Sequence, residues 1–211
     1  MNTLRRCVTL RAVVFAAAAL ACSVFASELI PPDAAKWRRD LTRNAQLEWG
    51  LNAPIATFAG QIHQESSWRA NAASGAGAVG LAQFMPSTAT WLSGVYATVG
   101  PADPSNPVWA MRAMVVYDRH LWERTKAADD CNRMAKVLSS YNGGLGWVQR
   151  DEYLAKQRGF DPSIWWLNVA NVNNGRSDAS WIENRTYPER ILHTLEARYN
   201  AAGWGSRSCS G

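Results

Sequence analysis

The chain has 211 residues, 47% of them hydrophobic and 18% charged. That is enough apolar material for one buried core and too much for a disordered chain. The formal charge is +5, but Arg5, Arg6 and Arg11 lie in residues 1–26, which contain no acid; without those three, the 22 basic residues fall to 19 against 17 acidic. No nucleic-acid or other polyanionic partner is therefore expected. Trp is frequent, 11 residues against 6 Tyr and 5 Phe. Flat side chains with one polar edge suit an amphipathic partner such as a sugar, and equally fill a small helical core.

Arg5 and Arg6 precede an apolar run, Ala12 to Ala21, which leads to Val24-Phe25-Ala26. A charged start, a short apolar centre and a small residue at the cut make residues 1–26 a secretion signal peptide, with cleavage after Ala26. The run is too short to span a bilayer comfortably. Ala19-Leu20-Ala21-Cys22 offers a rival, lipid attachment at Cys22, and membrane contact is expected only in that case. Either way the mature protein is expected to be exported, periplasmic or extracellular. Of the 4 cysteines, Cys131 and Cys209 remain after the leader. In an oxidising compartment they are expected to form a disulfide that ties the tail, residues 204–211, back to a single domain over 33–203. With 3 His and no Cys pair at ligand spacing, no metal site or cofactor is expected.

The rest reads as all-α: helices separated by long glycine-rich loops. Trp37, Leu41 and Ala45 form a stripe in a helix over Ala34–Glu48 that Gly50 ends. Asn52 then reads as an N-cap with Pro54 in the first turn of a second helix. Further helical patterns run over Val108–Lys126 and Asn132–Tyr141, and a last one from near Thr186 to Gly203. Residues 150–182 read as a long irregular loop with one short helix, and loops of that length tend to be functional.

Four segments carry chemistry. In Ile55–Trp68, residues Ile55, Phe58, Ala59 and Ile62 fall at i, i+3, i+4 and i+7, and Glu65 continues that stripe. A carboxyl in an apolar setting near a helix C-terminus is pushed toward its neutral form by desolvation and by the helix dipole, which suits a general acid. The segment alone does not decide between that role and an exposed residue on a fraying last turn. Next, Ser74–Pro86 contains a literal G-x-G-x-x-G at Gly75, Gly77 and Gly80. No strand precedes it and Pro86 follows, so a dinucleotide site is excluded in favour of a tight backbone with the Gln83 amide as a two-way hydrogen-bonding group. In the third, Met134, Val137, Leu138 and Tyr141 repeat the helical stripe before Asn142-Gly143-Gly144, aiming Tyr141 at the interior or a cleft. In the fourth, Thr186 and Glu189 form a capping box with Pro188 in the first turn, and Tyr187, Ile191 and Leu195 share a face. Asn184-Arg185-Thr186 is also a glycosylation sequon.

Taken in order, Gln64-Glu65-Ser66-x-Trp68, Ser74-x-x-Gly77-Ala78-x-Gly80-Leu81-x-Gln83-Phe84-Met85-Pro86, Ser140-Tyr141-Asn142-Gly143-Gly144 and Glu183-x-Arg185-x-Tyr187 resemble the soluble lytic transglycosylase (SLT) domain over roughly residues 35–200. The resemblance implies a lysozyme-like, mainly helical fold that cleaves peptidoglycan between N-acetylmuramic acid and N-acetylglucosamine. It implies Glu65 as the sole acid and base and 1,6-anhydromuramyl ends as product. Ser74, Gln83, Tyr141, Asn142 and Tyr187 match positions that line the cleft, and Phe84 and Met85 would form part of its wall. The implied partner is the glycan strand; wall turnover, an envelope-spanning assembly and lysis machinery are all settings it leaves open. Ser140, Asn184 and Pro188 depart from the family pattern, which bears on cleft shape rather than on the reaction.

A hydrolytic muramidase on the same fold would need a second carboxylate, for which Asp103, Asp118, Asp178 and Glu183 are the candidates. A non-enzymatic glycan-binding protein would need Glu65 to be inert. For the Trp165-Trp166 pair, sugar stacking and plain packing stay open.

Overall fold

The computed structural model describes residues 30–209; the leader, with its cleavage after Ala26 or lipid attachment at Cys22, lies outside the described residues. The architecture is all-α, as expected. Among the described residues there is no strand, only isolated bridges that pair Val79 with Ala73 and with Phe84.

Helix α1, Asp33–Trp49, buries Leu41 and Ala45 and ends at Gly50, which has φ 79°. Helix α2, Ile55–Ser66, does not start at Asn52. Pro54 takes the cap position and supplies no side-chain acceptor. The first-turn N–H of Ala56 is satisfied from far along the chain, by the Ser206 carbonyl at 3.0 Å. Helix α3, Pro86–Val95, opens on its proline. Helix α4, Pro107–Arg124, is capped by the Asn106 side chain, which accepts from the N–H groups of Val108 and Trp109. Helix α5, Asp130–Gly143, is capped by Asp129.

The region 150–182 is more regular than its composition suggests. Helix α6, Leu145–Gln157, buries Val148, Asp151 and Ala155 on one face, and α7, Asp178–Glu189, starts from the Ser177 cap. The capping box at Thr186 and Glu189 is therefore not a helix start. Thr186 sits mid-helix, where its hydroxyl donates to the Ile182 carbonyl. Pro188 lies inside α7; it lacks the N–H that would continue the ladder, and a wider π-type stretch follows over Arg190–Leu195 before α8, Glu196–Ala201. Asn184 is 1% exposed, so the sequon is not a surface acceptor. Trp165 is fully buried and serves packing, and Trp166, half-buried, packs on His193 at 4.5 Å between ring centroids.

Two apolar clusters make the core. One gathers Leu41, Phe58, Ile62, Met111 and Met114; the other gathers Met134, Val137, Leu138, Ile191 and Leu195. Trp49, Tyr117 and Tyr141 touch both. Residues 204–209 do not form a loose tail: Trp204, in the first cluster, is 6% exposed and packs on Tyr199 and Trp68 at 5.0 and 5.4 Å, and Cys209 packs against the second. The Cys131–Cys209 disulfide is formed, with Cα atoms 4.5 Å apart.

Candidate active site

The buried stripe of α2, Ile55, Phe58, Ala59 and Ile62, delivers Glu65 to the helix's last turn as its spacing predicts. The chain then leaves α2 through two left-handed residues, Ser67 at φ 50° and Trp68 at φ 64°. Trp68 holds that turn from the core side, its indole N–H donating to the Tyr199 hydroxyl at 2.5 Å. The same hydroxyl lies 3.0 Å from His63 Nδ1, within hydrogen-bond distance. Burial pushes His63 down to about 4, so it is a neutral imidazole next to the site.

Glu65 is raised from 4.5 to about 7. Burial is the main cause, and the charge of Glu183 adds to it. The Tyr187 hydroxyl works against both, donating to Glu65 Oε1 at 2.5 Å. The net result is a carboxyl that keeps its proton near neutrality while one of its oxygens is already hydrogen-bonded. Burial holds the Tyr187 and Tyr141 phenols well above their usual range, the nearby Glu65 charge adding to it, so both stay neutral. The Tyr141 hydroxyl donates to the Ala82 carbonyl at 2.8 Å, which ties the end of α5 to the glycine-rich loop.

That loop forms the opposite wall. Glu65, Arg69, Asn71, Ser74 and Gln83 line an open cavity of about 600 Å³. The Gln83 amide is less free than its type suggests. Its Nε2 donates to the carbonyls of Gly80 and Ala72 at 2.9 and 3.2 Å, and its backbone is left-handed, φ 47°, a strain of the kind stored at functional sites. Ser74 Oγ accepts from the Ala78 N–H at 2.9 Å, which leaves its proton available. Gly80 accounts for the tightness: at φ 79° an added Cβ would lie 2.0 Å from the Pro104 carbonyl oxygen, so the backbone approaching here is the chain's own. Met85 is 42% exposed, whereas Phe84 is buried and backs the wall through Trp109 and Tyr141, at 5.6 and 5.8 Å between ring centroids.

Asn142 faces a neighbouring concavity. Its Nδ2 donates to Glu183 Oε1 at 3.4 Å and its Oδ1 accepts from Asn184 Nδ2 at 3.0 Å. Asn184 also bonds the carbonyl and hydroxyl of Ser139, and it sits where a Cβ on Gly143 would be 2.6 Å away. The residue at this departure from the family pattern thus braces the end of α5 against the middle of α7.

Four further acids were candidates for a second carboxylate. Asp118 accepts from Gln61 Nε2 at 3.3 Å and is held well above its usual range by burial; with no exposed surface it is out of reach of a substrate. Asp103 accepts from Ser105 in an exposed turn, and Asp178 is exposed in the first turn of α7. Glu183 is the exposed one whose charge reaches Glu65. A larger groove of about 900 Å³ along α1, lined by Arg38, Arg39, Arg43, Leu47 and Trp204, contains no carboxyl.

Replacing Tyr187 by Phe removes the hydrogen bond that favours the Glu65 anion. The high-pH limb of kcat/KM should then move above its wild-type position, and kcat should fall roughly tenfold through lost positioning of the carboxyl. A pH–rate profile of the variant that superimposes on wild type would exclude this role.

A helical domain that presents one proton-retaining carboxyl at the end of a buried helix, across a cleft from a glycine-rich loop, is of the lysozyme-like class. The chain belongs to the Transglycosylase SLT domain family, whose model matches residues 42–164. It is 29% identical over 180 residues to the membrane-bound lytic murein transglycosylase F of Vibrio cholerae, an alignment covering 76% of this chain and 31% of that protein. It is 33% identical over 109 residues to the protein of the same name from Shewanella halifaxensis, covering 51% and 22%. The chain thus spans a third or less of the length of these curated relatives. Among solved structures, the 70 kDa soluble lytic transglycosylase of Escherichia coli superimposes with a TM-score of 0.57 at 22% identity, over 79% of this chain and 25% of that one. An inactive Glu-to-Gln mutant of the lytic transglycosylase Slt from Pseudomonas aeruginosa gives 0.57 at 21%, over 82% and 25%. These two share the fold.

Arg176 and Asp151, which line or brace the Asn142 concavity, are not singled out by the sequence. They fall in the stretch 150–182 that reads as loop, and nothing in their spacing to Arg185, which the fourth motif does contain, signals an ion-pair network.

Proposed function

We propose that this chain is a peptidoglycan lytic transglycosylase that cleaves the β-1,4 bond between N-acetylmuramic acid and N-acetylglucosamine, with Glu65 as its single acid and base. The observation that carries this reading is the Glu65 carboxyl itself, protonated up to about pH 7 in an open cleft. Glu65 gives its proton to the glycosidic oxygen as the C1–O bond breaks. The resulting carboxylate takes the proton of the muramyl C6 hydroxyl as O6 bonds to C1. The acid is restored, no water is consumed, and the product is a 1,6-anhydromuramyl end. Ser74, Gln83, Met85, Tyr141, Asn142 and Tyr187 contact the sugars on either side of the bond, with Phe84 behind the wall. Export rests on the leader, residues 1–26; among the described residues no helix is long and apolar enough to cross a membrane.

Mass spectrometry of muropeptides released from purified peptidoglycan tests the reading. Fragments lighter than reducing-end muropeptides by one water are expected. Reducing ends would favour a second reading, hydrolysis, for which Glu183 is the carboxylate placed to activate a water. The absence of any product would leave a glycan-binding role.

A further inference from the structure

The groove along α1 sets a row of cations beside exposed apolar side chains. Arg38, Arg39, Thr42, Arg43, Gln46 and Leu47 recur at helical spacing and form one face of the helix. With Leu51 and Trp204 they line the depression of about 900 Å³, which runs roughly 18 Å along the axis from Ala35 to Leu47. A second cavity, of about 630 Å³, shares Ala35, Arg38 and Trp204 with it and carries it on to Ile30. Leu47 and Leu51 are 68% and 85% exposed. They stand together at one end of the groove, so its open apolar surface is a patch rather than a scatter of single residues.

The groove carries charge of one sign. None of the α1 acids, Asp33, Asp40 and Glu48, lines it, and Glu48 is paired with Arg112 at 2.9 Å. Among the described residues neither Arg39 nor Arg43 has an ion pair. Arg38 is fixed in place: its guanidinium lies over the Trp204 ring, 5.3 Å from the centroid, and its Nη2 donates to the Gly203 carbonyl. Trp204 is in turn packed on Tyr199 and Trp68, so this cation stands on the core. Outside residues 1–26 the chain's charges nearly balance, 19 basic against 17 acidic. The positive field is therefore local, three guanidiniums within about a turn and a half, and it matches a few carboxylates rather than a long polyanion.

Shape selects the occupant. A groove about three turns long, with guanidiniums along it and leucines at one end, is complementary to a helix that carries carboxylates beside an apolar stripe. Each guanidinium can take a carboxylate through two parallel N–H donors. A flat bilayer would meet only the rim of the depression and leave its floor unfilled. We propose that the α1 groove docks an acidic amphipathic helix of a partner protein. The groove shares no residue with the Glu65 cavity, so the cleft stays open when the partner is bound. Docking there is independent of the reaction at Glu65 and decides where the domain is held.

The probe is a stapled helical peptide of about four turns, with leucines at i, i+4, i+7 and i+11 and glutamates flanking that stripe, read by fluorescence anisotropy. Two controls carry Gln or Lys at every Glu position. The mature protein should bind the Glu peptide, and raising the salt from about 0.05 to about 0.5 M should weaken binding roughly tenfold. The Gln peptide should bind at least about tenfold more weakly. Arg39→Glu with Arg43→Glu should cost at least about tenfold in affinity for the Glu peptide and should bind the Lys peptide better than wild type does. Leu47→Ser with Leu51→Ser should cost about fivefold. All four side chains are exposed, so both variants should keep the wild-type melting curve. Absent binding of the Glu peptide by wild type, equal binding of the Glu and Gln peptides, or affinity that survives Arg39→Glu with Arg43→Glu overturns the proposal. Sedimentation of wild type with phosphatidylglycerol vesicles, lost in that variant and unaccompanied by peptide binding, would overturn it as well and make this face a membrane contact. Because the readout is binding, a failure of the proposed function leaves the test unaffected.

Discussion

Substituting Glu65 by Gln is expected to lower turnover of peptidoglycan by a factor on the order of 10³ or more while leaving the protein folded, because Gln keeps the shape and loses the transferable proton. The same group sets the pH dependence. The reaction starts from protonated Glu65, so kcat/KM should fall as pH rises through about 7. Stability should move with it. Between pH 4.5 and 7 the folded protein keeps a proton that the unfolded chain has released, so this group's contribution to stability declines across that window. Above the window the folded state holds a buried anion, at a cost of about 3 kcal/mol set by the shift. Glu65→Gln, which does not titrate, should therefore be more stable than wild type at about pH 8, by up to that amount, and should lose the advantage toward pH 4. Chemical denaturation at the two pH values measures this. Equal stability of the two proteins at both would mean that Glu65 titrates like a solvated carboxylate, and the acid role would lose its physical basis.

What could be read from the sequence follows a physical division. A buried helical stripe is a local pattern, so Ile55, Phe58, Ala59 and Ile62 place Glu65 correctly, and Met134, Val137 and Leu138 place Tyr141. Two cysteines left after an expected leader are a matter of arithmetic, and Cys131–Cys209 follows. The failures are non-local. Asn52 looks like a cap, yet the N–H at the start of α2 is taken by Ser206, some 150 residues away. Thr186 and Glu189 have the spacing of a capping box, but Ser177 had already started that helix and packing against α5 carries it through to Pro188. Asp118 stays open in the sequence as a second carboxylate, and only the folded chain shows it buried under Gln61. Gln83 reads as a free amide, but the loop consumes both its donors. Each error assigns to local spacing a group whose partner comes from elsewhere in the fold.

Removal of the disulfide, by Cys131→Ser together with Cys209→Ser, is expected to be the most destabilising change away from the cleft. The bridge closes a loop across 78 residues, which corresponds to about 4 kcal/mol of unfolded-state entropy. That would lower the melting temperature of a chain of this size by roughly 10 °C. The bridge also anchors a network at the start of α2. Cys209 N–H donates to Glu196 Oε1 at 2.9 Å, Thr57 Oγ1 donates to Glu196 Oε2 at 2.6 Å, and Ser208 N–H donates back to Thr57 Oγ1 at 3.2 Å. Since Thr57 gives its only proton to Glu196, the Ser208 hydroxyl, 3.0 Å away, donates to Thr57 as well. Glu196 is fully buried, and burial raises it above the usual carboxylate range against these bonds, so fraying of residues 206–209 would leave a buried acid with fewer donors. Glu65 lies at the other end of the helix, roughly 12 Å from Thr57 along the axis. The effect should therefore fall on stability, with kcat well below the melting point changed by less than about twofold. Calorimetry with and without a thiol reductant, alongside the double variant, separates these effects. An unchanged melting temperature on reduction would show that Trp204 and the Thr57–Glu196 network hold residues 204–209 without the bridge, whereas a kcat that falls in step with stability would mean that the start of α2 transmits its position to Glu65.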